Sequence, residues 1–388
     1  MKHILIIHNF YKLSNIGGED RVVIMQKELL EKKGIKVTLY DAYNDNIVSF
    51  KDHLQTFINS YFNYKAYNNV YKIIKEQKVD TVLIHNTFPL LSHSVILAAK
   101  KANTKVYMYL HNYRWLCCGD NLFINGQICH KCQNINSFYH SFNNKCYKNG
   151  PLSLWRESVR ILGQNIIKKN VDIFICPSNT VKEIFASYGF DKYKLKVLPH
   201  FVEDVNKEYY PKTNISSKPC FIIVGRLDAY KGIQTILEGF KLNNHNLKII
   251  GNGPLRSDIE KACKDNDNIE YLGVVTPEET RSYISNADFL IQASECYETF
   301  GLTIAEAYSV GTPVIGSNLG TRKELIIEGR TGFLFDIGDY ISLNQAVDKS
   351  IYIKYKEFSK NCINSYQKFF TKDCWYKNLV KIMQELYF

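Results

Sequence analysis

Short apolar runs alternate with amphipathic stretches along most of this chain, and the two periods change over at regular intervals. Runs such as HILII and KVYMYL have no polar alternation, as expected of strands covered on both faces. They predict strands at 3–7, 35–40, 80–84, 105–110, 172–176 and 196–198. Between the first two, apolar positions recur at helical spacing over 21–33 and stop at Gly34. Strand alternating with helix is the signature of parallel sheets under helical layers. Periodicity lapses over 199–219, where Pro, Asn and Ser gather, and this predicts a domain boundary. Six further strand–helix units run from Cys220 to near Phe335. The expected organisation is an N-terminal α/β domain over 1–200, a second over 201–369, and a final helix over 370–388 that returns to the first.

Composition supports two such domains: 388 residues with 45% apolar and 22% charged side chains suffice for two separate cores. No apolar run approaches the 18 or so residues of a membrane span, and HILIIH is too short for a signal peptide. A cytoplasmic enzyme is the expectation. Charge is uneven: residues 1–200 carry 27 Lys and Arg against 14 Asp and Glu, a net of +13, while 201–388 carry 22 against 24, a net of −2. A basic N-terminal half suits an anionic membrane surface or a lipid-diphosphate acceptor, and equally a solvated basic face. The Tyr- and Lys-rich stretch from Asn59, and that from Ser153 with Trp155, Arg156 and Arg160 on one helix surface, are the candidate contacts. No recognised nucleic-acid-binding motif accompanies the charge, so nucleic acid is not expected.

The densest chemistry lies in ECYETFGLTIAEA, 295–307, where Glu298 reads as a loop residue and Glu306 as standing two turns into a helix. Eight residues place their backbones roughly 12 Å apart, beyond the roughly 5 to 10 Å of a glycosidase acid/base pair. Two carboxylates so spaced grip different ends of one elongated ligand. Between them the amides of Thr299, Phe300, Gly301 and Leu302 open the helix and favour an anion. Upstream, CFIIVGRLDAYKG sets Arg226 and Lys231 at a strand-to-helix turn, a planar fork and a point charge suited to a diphosphate. In KIIGNGPLR, Gly251 and Gly253 let a ligand approach the backbone. The outline is that of a nucleotide-sugar site.

With GGEDRV, LHNYRWLC, GRLDAYKG, IIGNGPL, IEYLGVV and ETFGLTIAEAYSVGTPVIGSNLGTRKELI in this order, the chain resembles the retaining nucleotide-sugar glycosyltransferases of family 4. The resemblance implies the GT-B fold, two Rossmann-like domains facing a central cleft, and transfer with retention without a catalytic metal or cofactor. It implies that Arg226 and Lys231 neutralise the donor diphosphate, Glu298 contacts the donor sugar, and Glu306 holds the ribose. His111 lines the reaction centre, and Gly17 and Gly18 close over the phosphates. Gly253, Val274, Phe300, Gly301 and Leu302 complete the donor site. The expected acceptor is a glycan or lipid-linked sugar of cell-surface polysaccharide synthesis, and UDP is the expected nucleotide. The enzyme would work at the inner face of the plasma membrane. Two other readings stay open: a non-hydrolysing nucleotide-sugar epimerase of the same fold, and a basic binding protein with a vestigial donor site.

His111 ends an apolar strand, so its imidazole either accepts a hydrogen bond from a sugar hydroxyl or caps the strand. His8, beside the Gly-Gly loop, is a weaker pocket candidate. Five cysteines crowd together: Cys117, Cys118, Cys129, Cys132 and Cys146. A reducing compartment argues against disulfides. The spacing admits a structural zinc on Cys118, Cys129, Cys132 and Cys146, with Cys117 or His130 as substitutes, or a loop held by packing. A subset of the family carries a similar cysteine pattern.

Overall fold

The computed structural model describes residues 2–11, 17–133, 136–203 and 212–385. The chain forms two compact units, Met1–Ile124 with Cys129–Leu198, and Pro199–Phe388 with Asn125–Ile128. Each is built on one six-stranded parallel sheet.

In the first unit the strands of the sheet are β1 (His3–Phe10), β2 (Lys36–Tyr43), β3 (Thr81–Asn86), β4 (Lys105–Tyr109), β7 (Ile173–Cys176) and β8 (Leu195–Val197); in sequence, the short strands β5 (Phe123–Ile124) and β6 (Gln127–Ile128) fall between β4 and β7. Their order across the sheet is β2-β1-β3-β4-β7-β8. Order reverses beside β1, so the carboxyl ends of β1 and β3 border the crevice where ligands of such sheets bind. Every residue of β1 and β3 is buried, which is why both are strands without polar alternation.

The second unit repeats the plan with β9 (Cys220–Val224), β10 (Asn246–Ile250), β11 (Ile269–Gly273), β12 (Phe289–Gln292), β13 (Val314–Ser317) and β14 (Gly332–Phe335), in the order β11-β10-β9-β12-β13-β14. Alternation along β9 divides the core into two layers: Phe221 and Ile223 pack with Phe240 and Phe289 on one face, Ile222 with Leu290 and Ile304 on the other. The last helix, Lys372–Gln384, seats Trp375 against Phe201, with ring centroids 5.2 Å apart.

Two expectations change. Arg156 and Arg160 lie on a long helix, Gly150–Asn170, but do not share an outer surface: both are buried. Arg160 makes a two-pronged pair with Glu157 at 2.6 and 2.7 Å, and Arg156 reaches Asp120 at 2.7 Å. A buried guanidinium needs a carboxylate, and these have one each. Glu306 is the fifth residue of the helix Leu302–Ser309, a little over one turn in rather than two, because Gly301 in the left-handed region (φ 98) delays the helix start.

Candidate active site

The predicted donor residues of the second unit gather at the carboxyl ends of β9, β10 and β12. After β9 the chain makes a turn in which Arg226 donates from Nε to Asp228 Oδ2 at 2.8 Å, and the Tyr230 hydroxyl donates to the same oxygen at 2.9 Å. The guanidinium is 65% exposed yet fixed in direction. Lys231 follows, its ammonium 2.5 Å from Glu298 Oε1, which also accepts from the Ser294 hydroxyl at 2.7 Å. The spacing of these two segments is set by Gly232 (φ 70): a Cβ there would lie 2.2 Å from the Ala293 carbonyl oxygen.

Behind this pair sits Arg322, fully buried in the short helix Thr321–Leu325. Its guanidinium donates to the carbonyls of Ser294 (2.6 Å) and Cys296 (3.0 Å) and to the Ser317 hydroxyl (2.8 Å). The Thr321 hydroxyl holds the Glu298 carbonyl at 2.8 Å. The loop carrying Glu298 is therefore pinned at residues 294, 296 and 298. Burial alone would raise the Glu298 carboxyl, but the Lys231 ammonium, then Arg322, and the hydrogen bonds from Lys231 and Ser294 outweigh it and hold the carboxyl at about 2. Lys231 is half-buried, and its partial desolvation disfavours its charge, but Glu298 raises it above the ordinary lysine value. The site holds a fixed anion and a fixed cation at neutral pH.

Glu306 is half-buried on the adjacent helix. Gly301 and Leu302 open that helix, while the Phe300 side chain is in the core against His200, at 5.2 Å between rings, and against Phe370. Phe300 can therefore meet a ligand only through its backbone. Gly253 lies against the β9 loop, where a Cβ would meet the Leu227 backbone at 2.7 Å, and Val274 is exposed after β11. Asp228, Ser294 and Arg322 are the residues the sequence reading missed. The Arg-x-Asp spacing at 226–228 was a usable signal; nothing in GTRKEL separates a buried arginine from a solvated one.

In the first unit Gly17 caps the helix Gly18–Lys32 in extended backbone, its carbonyl accepting from Arg21 at 3.0 Å. The loop just before it lies outside the described residues. His8 is fully buried and committed to Asp20, Nε2 to Oδ1 at 2.8 Å. His111 follows β4, with Nε2 2.8 Å from His85 Nδ1. Beside them Arg114, itself buried, donates to Asn86 Oδ1 and to the Tyr11 hydroxyl at 2.5 Å each, and to Asn112 Oδ1 at 2.8 Å. The Tyr11 hydroxyl and the Asn112 amide both donate to Glu19 Oε2. Burial pushes the Glu19 carboxyl up, against the pull of Arg114. Sequence reading missed this network because its members come from four separated segments.

Among the described residues no group of three or more His, Cys, Asp and Glu side chains is arranged to hold an ion. Cys117 and Cys132 are hydrogen-bonded to each other, which lowers the Cys132 thiol to about 7 and raises Cys117. Cys118 Sγ donates to the Ser153 carbonyl at 3.5 Å, and burial raises its thiol.

Comparison with known families agrees with this geometry. Residues 16–205 match the family described as Glycosyltransferase Family 4, and residues 205–369 match Glycosyl transferases group 1. The chain belongs to the GT-B glycosyltransferases of the group 1 and family 4 type. Among relatives of this glycosyltransferase chain is an uncharacterized 41.2 kDa protein in the cps region of Klebsiella pneumoniae, 28% identical over 54% of this chain and 60% of that protein. Another is the alpha-monoglucosyldiacylglycerol synthase of Streptococcus pneumoniae, 29% identical over 43% of this chain and 42% of that protein. The chain thus spans less than two thirds of either relative's length. Among solved structures, Anabaena Alr3699/HepE in complex with UDP and glucose superposes with a TM-score of 0.67 over 99% of this chain and 100% of that one, at 14% identity, which establishes the GT-B fold. Among the described residues, no helix is long and apolar enough to cross a membrane.

Proposed function

We propose that the protein is a retaining, metal-independent glycosyltransferase that moves a sugar from a nucleotide-sugar donor, with UDP the expected carrier, to a glycan or lipid-linked acceptor in cell-surface polysaccharide synthesis. The observation that carries this reading is the Lys231–Glu298 pair, held by Ser294 and backed by Arg322, beside Arg226 and the start of the helix bearing Glu306. Arg226 and Lys231 provide the positive charge that a departing nucleoside diphosphate needs, and the Gly301 and Leu302 amides add their dipoles. A diphosphate arriving at Lys231 competes with Glu298 for its ammonium and turns the carboxylate toward the sugar. Glu306 binds the ribose hydroxyls. The sequence offers no second carboxylate at nucleophile spacing from Glu298, which favours departure on the acceptor's own face, with a diphosphate oxygen taking the acceptor proton. Positioning and electrostatics are then the protein's main contribution.

Both matching families are glycosyltransferases, which disfavours the epimerase and the vestigial binding protein. The cps-region relative supports a polysaccharide role, and the diacylglycerol-modifying relative supports a lipid-linked acceptor. Incubation with a panel of nucleotide sugars tests the reading. Slow hydrolysis of one donor to free sugar and nucleoside diphosphate, with retained configuration by NMR and no response to chelator, is expected. Formation of an epimer, or inertness toward every donor, overturns it.

We also propose contact with an anionic membrane surface through the helix Phe50–Asn59. This helix is inside-out. Thr56 is buried, as is Ser60 just after it, whereas Val48, Phe50, Leu54 and Ile58 face solvent, Phe50 at 85% exposure. The solvent-facing apolar row recurs at helical spacing and is flanked by exposed Lys51 and Lys65. Phe57 stacks on Trp155, ring centroids 5.5 Å apart, and Trp155 Nε1 donates to Ser60, which fixes the helix in this orientation. The net +13 of residues 1–200 suits acidic headgroups and opposes self-association through this face.

The cysteine cluster is proposed as a packed structural element. The hydrogen bond between Cys117 and Cys132 and that of Cys118 to the Ser153 carbonyl support packing over a zinc ion.

A further inference from the structure

The helix Ser137–Asn143, in the segment that carries the cysteines, turns small hydroxyl residues inward and aromatic rings outward. Ser137 and Ser141, one turn apart, are buried, while Phe138, Tyr139 and Phe142 are exposed, Tyr139 at 67%. An ordinary surface helix shows the reverse arrangement. The Ser141 hydroxyl donates to the Phe138 carbonyl at 2.9 Å, so its burial leaves no polar group unmet. Phe142 lies over the start of the helix Gly150–Asn170, where a Cβ at Gly150 would stand 2.8 Å from its ring.

The segment is tied down on either side of these rings. Before the helix, Gln133 Nε2 donates to the Ser187 carbonyl at 2.8 Å. After it, Cys146 N donates to the Ser141 carbonyl at 3.2 Å and Tyr147 N to the Ser153 hydroxyl at 2.9 Å. Tyr147 also meets Trp155, with ring centroids 6.0 Å apart, and Trp155 stacks in turn on Phe57. Trp155 thus links this segment to the helix Phe50–Asn59, the other helix with apolar side chains facing solvent.

Charge selects the partner. Between Asp120 and Glu157 the sequence holds no Asp or Glu, and its three lysines, Lys131, Lys145 and Lys148, are all exposed. Exposed Phe and Tyr among lysines, with no carboxylate near them in sequence, suit the headgroup level of an anionic bilayer. A second copy of this chain would bring the same lysines against themselves across a two-fold axis.

We infer that the helix Ser137–Asn143 is a second foothold on an anionic lipid surface, entering the headgroup layer through Phe138, Tyr139 and Phe142 while Lys131, Lys145 and Lys148 meet lipid phosphates. The inference rests on the proposed membrane contact of the helix Phe50–Asn59 for the class of partner, and on its own burial pattern and charge for the place. Two weak contacts on one body bind far more tightly than either alone, because the second engages at high effective concentration.

The test uses full-length protein on vesicles of phosphatidylcholine with and without phosphatidylglycerol. Tyr139→Trp in a Trp155→Phe background places a reporter at position 139, the remaining Trp115 and Trp375 being buried. Lipids brominated near their headgroups quench only indoles that touch them. Quenching with phosphatidylglycerol and none with phosphatidylcholine alone is expected. A Phe138→Ser, Tyr139→Ser variant should bind about tenfold more weakly at unchanged melting temperature, and adding Phe50→Ser and Leu54→Ser should remove the binding that remains. Bound protein with an unquenched reporter, or a Phe138→Ser, Tyr139→Ser variant that binds like wild type, overturns the inference. So does a dimer in ultracentrifugation that this variant abolishes, since a second copy then covers the face. The two helices fail separately: if Phe50→Ser, Leu54→Ser leaves both affinity and quenching at position 139 intact, only the first contact falls, whereas loss of binding in that variant with an unquenched reporter in its absence removes only the second. Wild-type protein that binds neither vesicle removes both.

Discussion

The Lys231–Glu298 pair makes a prediction that can be worked through from the structure. Glu298→Gln keeps the shape of the side chain and removes its charge, leaving Lys231 and Arg322 facing a neutral amide. The Glu298 carboxyl is held at about 2 instead of the ordinary 4.5. At 1.36 kcal/mol per pH unit this corresponds to about 3 kcal/mol of stability from the ionised form. The side chain is only 18% exposed, so solvent screening removes little of it. The sign follows from a depressed carboxyl: the contribution is complete above pH 4.5 and disappears as pH falls toward 2. The variant should therefore be about 3 kcal/mol less stable than wild type at pH 7, and the gap should close as pH falls from 4.5 to 2. The assay is denaturant unfolding of protein labelled with 5-fluorotryptophan. Trp375, buried against Phe201, reports the second unit, while Trp115 and Trp155 report the first. A gap that stays constant from pH 7 to pH 3, or a variant as stable as wild type at pH 7, would refute the reasoning.

Arg226→Ala and Glu306→Ala should each weaken UDP binding by about 1.5 to 3 kcal/mol, roughly 10- to 100-fold, by calorimetry; Glu298→Ala should not weaken UDP binding, because it removes only the carboxylate that competes for the Lys231 ammonium, and should abolish sugar transfer. Arg322→Met should destabilise the second unit by about 3 kcal/mol in the same fluorine assay, since it strips a buried guanidinium from the Ser294 and Cys296 carbonyls. Wild-type protein should sediment with anionic vesicles at low salt and be released as salt rises, exposed charges being screened within about 8 Å at physiological ionic strength. A Phe50→Ser, Leu54→Ser variant should lose most of this binding with an unchanged melting temperature, and equal partition onto neutral vesicles would count against the helix. Protein purified without a histidine tag should contain no stoichiometric zinc and should melt at the same temperature with and without a chelator; about one zinc per chain would reverse the reading of the cysteine cluster.

The sheets were legible because parallel strands buried on both faces are written as uninterrupted apolar runs, as CFIIV of β9 is. Lys231 and Glu298 were each legible as polar residues at strand ends. Their contact was not, since 67 residues separate them and only the β9–β12 pairing brings them together. Charge was read wrongly at Arg156 and Arg160, where a helix rich in cations looked solvated. Glu157 three residues before Arg160 carried the clue, because that spacing puts both on one face. The helix Phe50–Asn59 marks another limit: an amphipathic pattern states that a helix has two faces and is silent about which one turns inward.

Gly232 has an evolutionary consequence. With the Ala293 carbonyl oxygen 2.2 Å from where a β-carbon would stand, position 232 admits no side chain unless the β9 turn and the loop after β12 move apart, and Glu295 N is also tied to the Tyr230 carbonyl at 2.8 Å across the same gap. The separation of the ammonium from the carboxylate is thus inherited as a fixed length. Descendants of this chain that acquire a new sugar must do so by exchanging residues that border the pair, such as Glu295 and Tyr297, while the gauge itself stays locked.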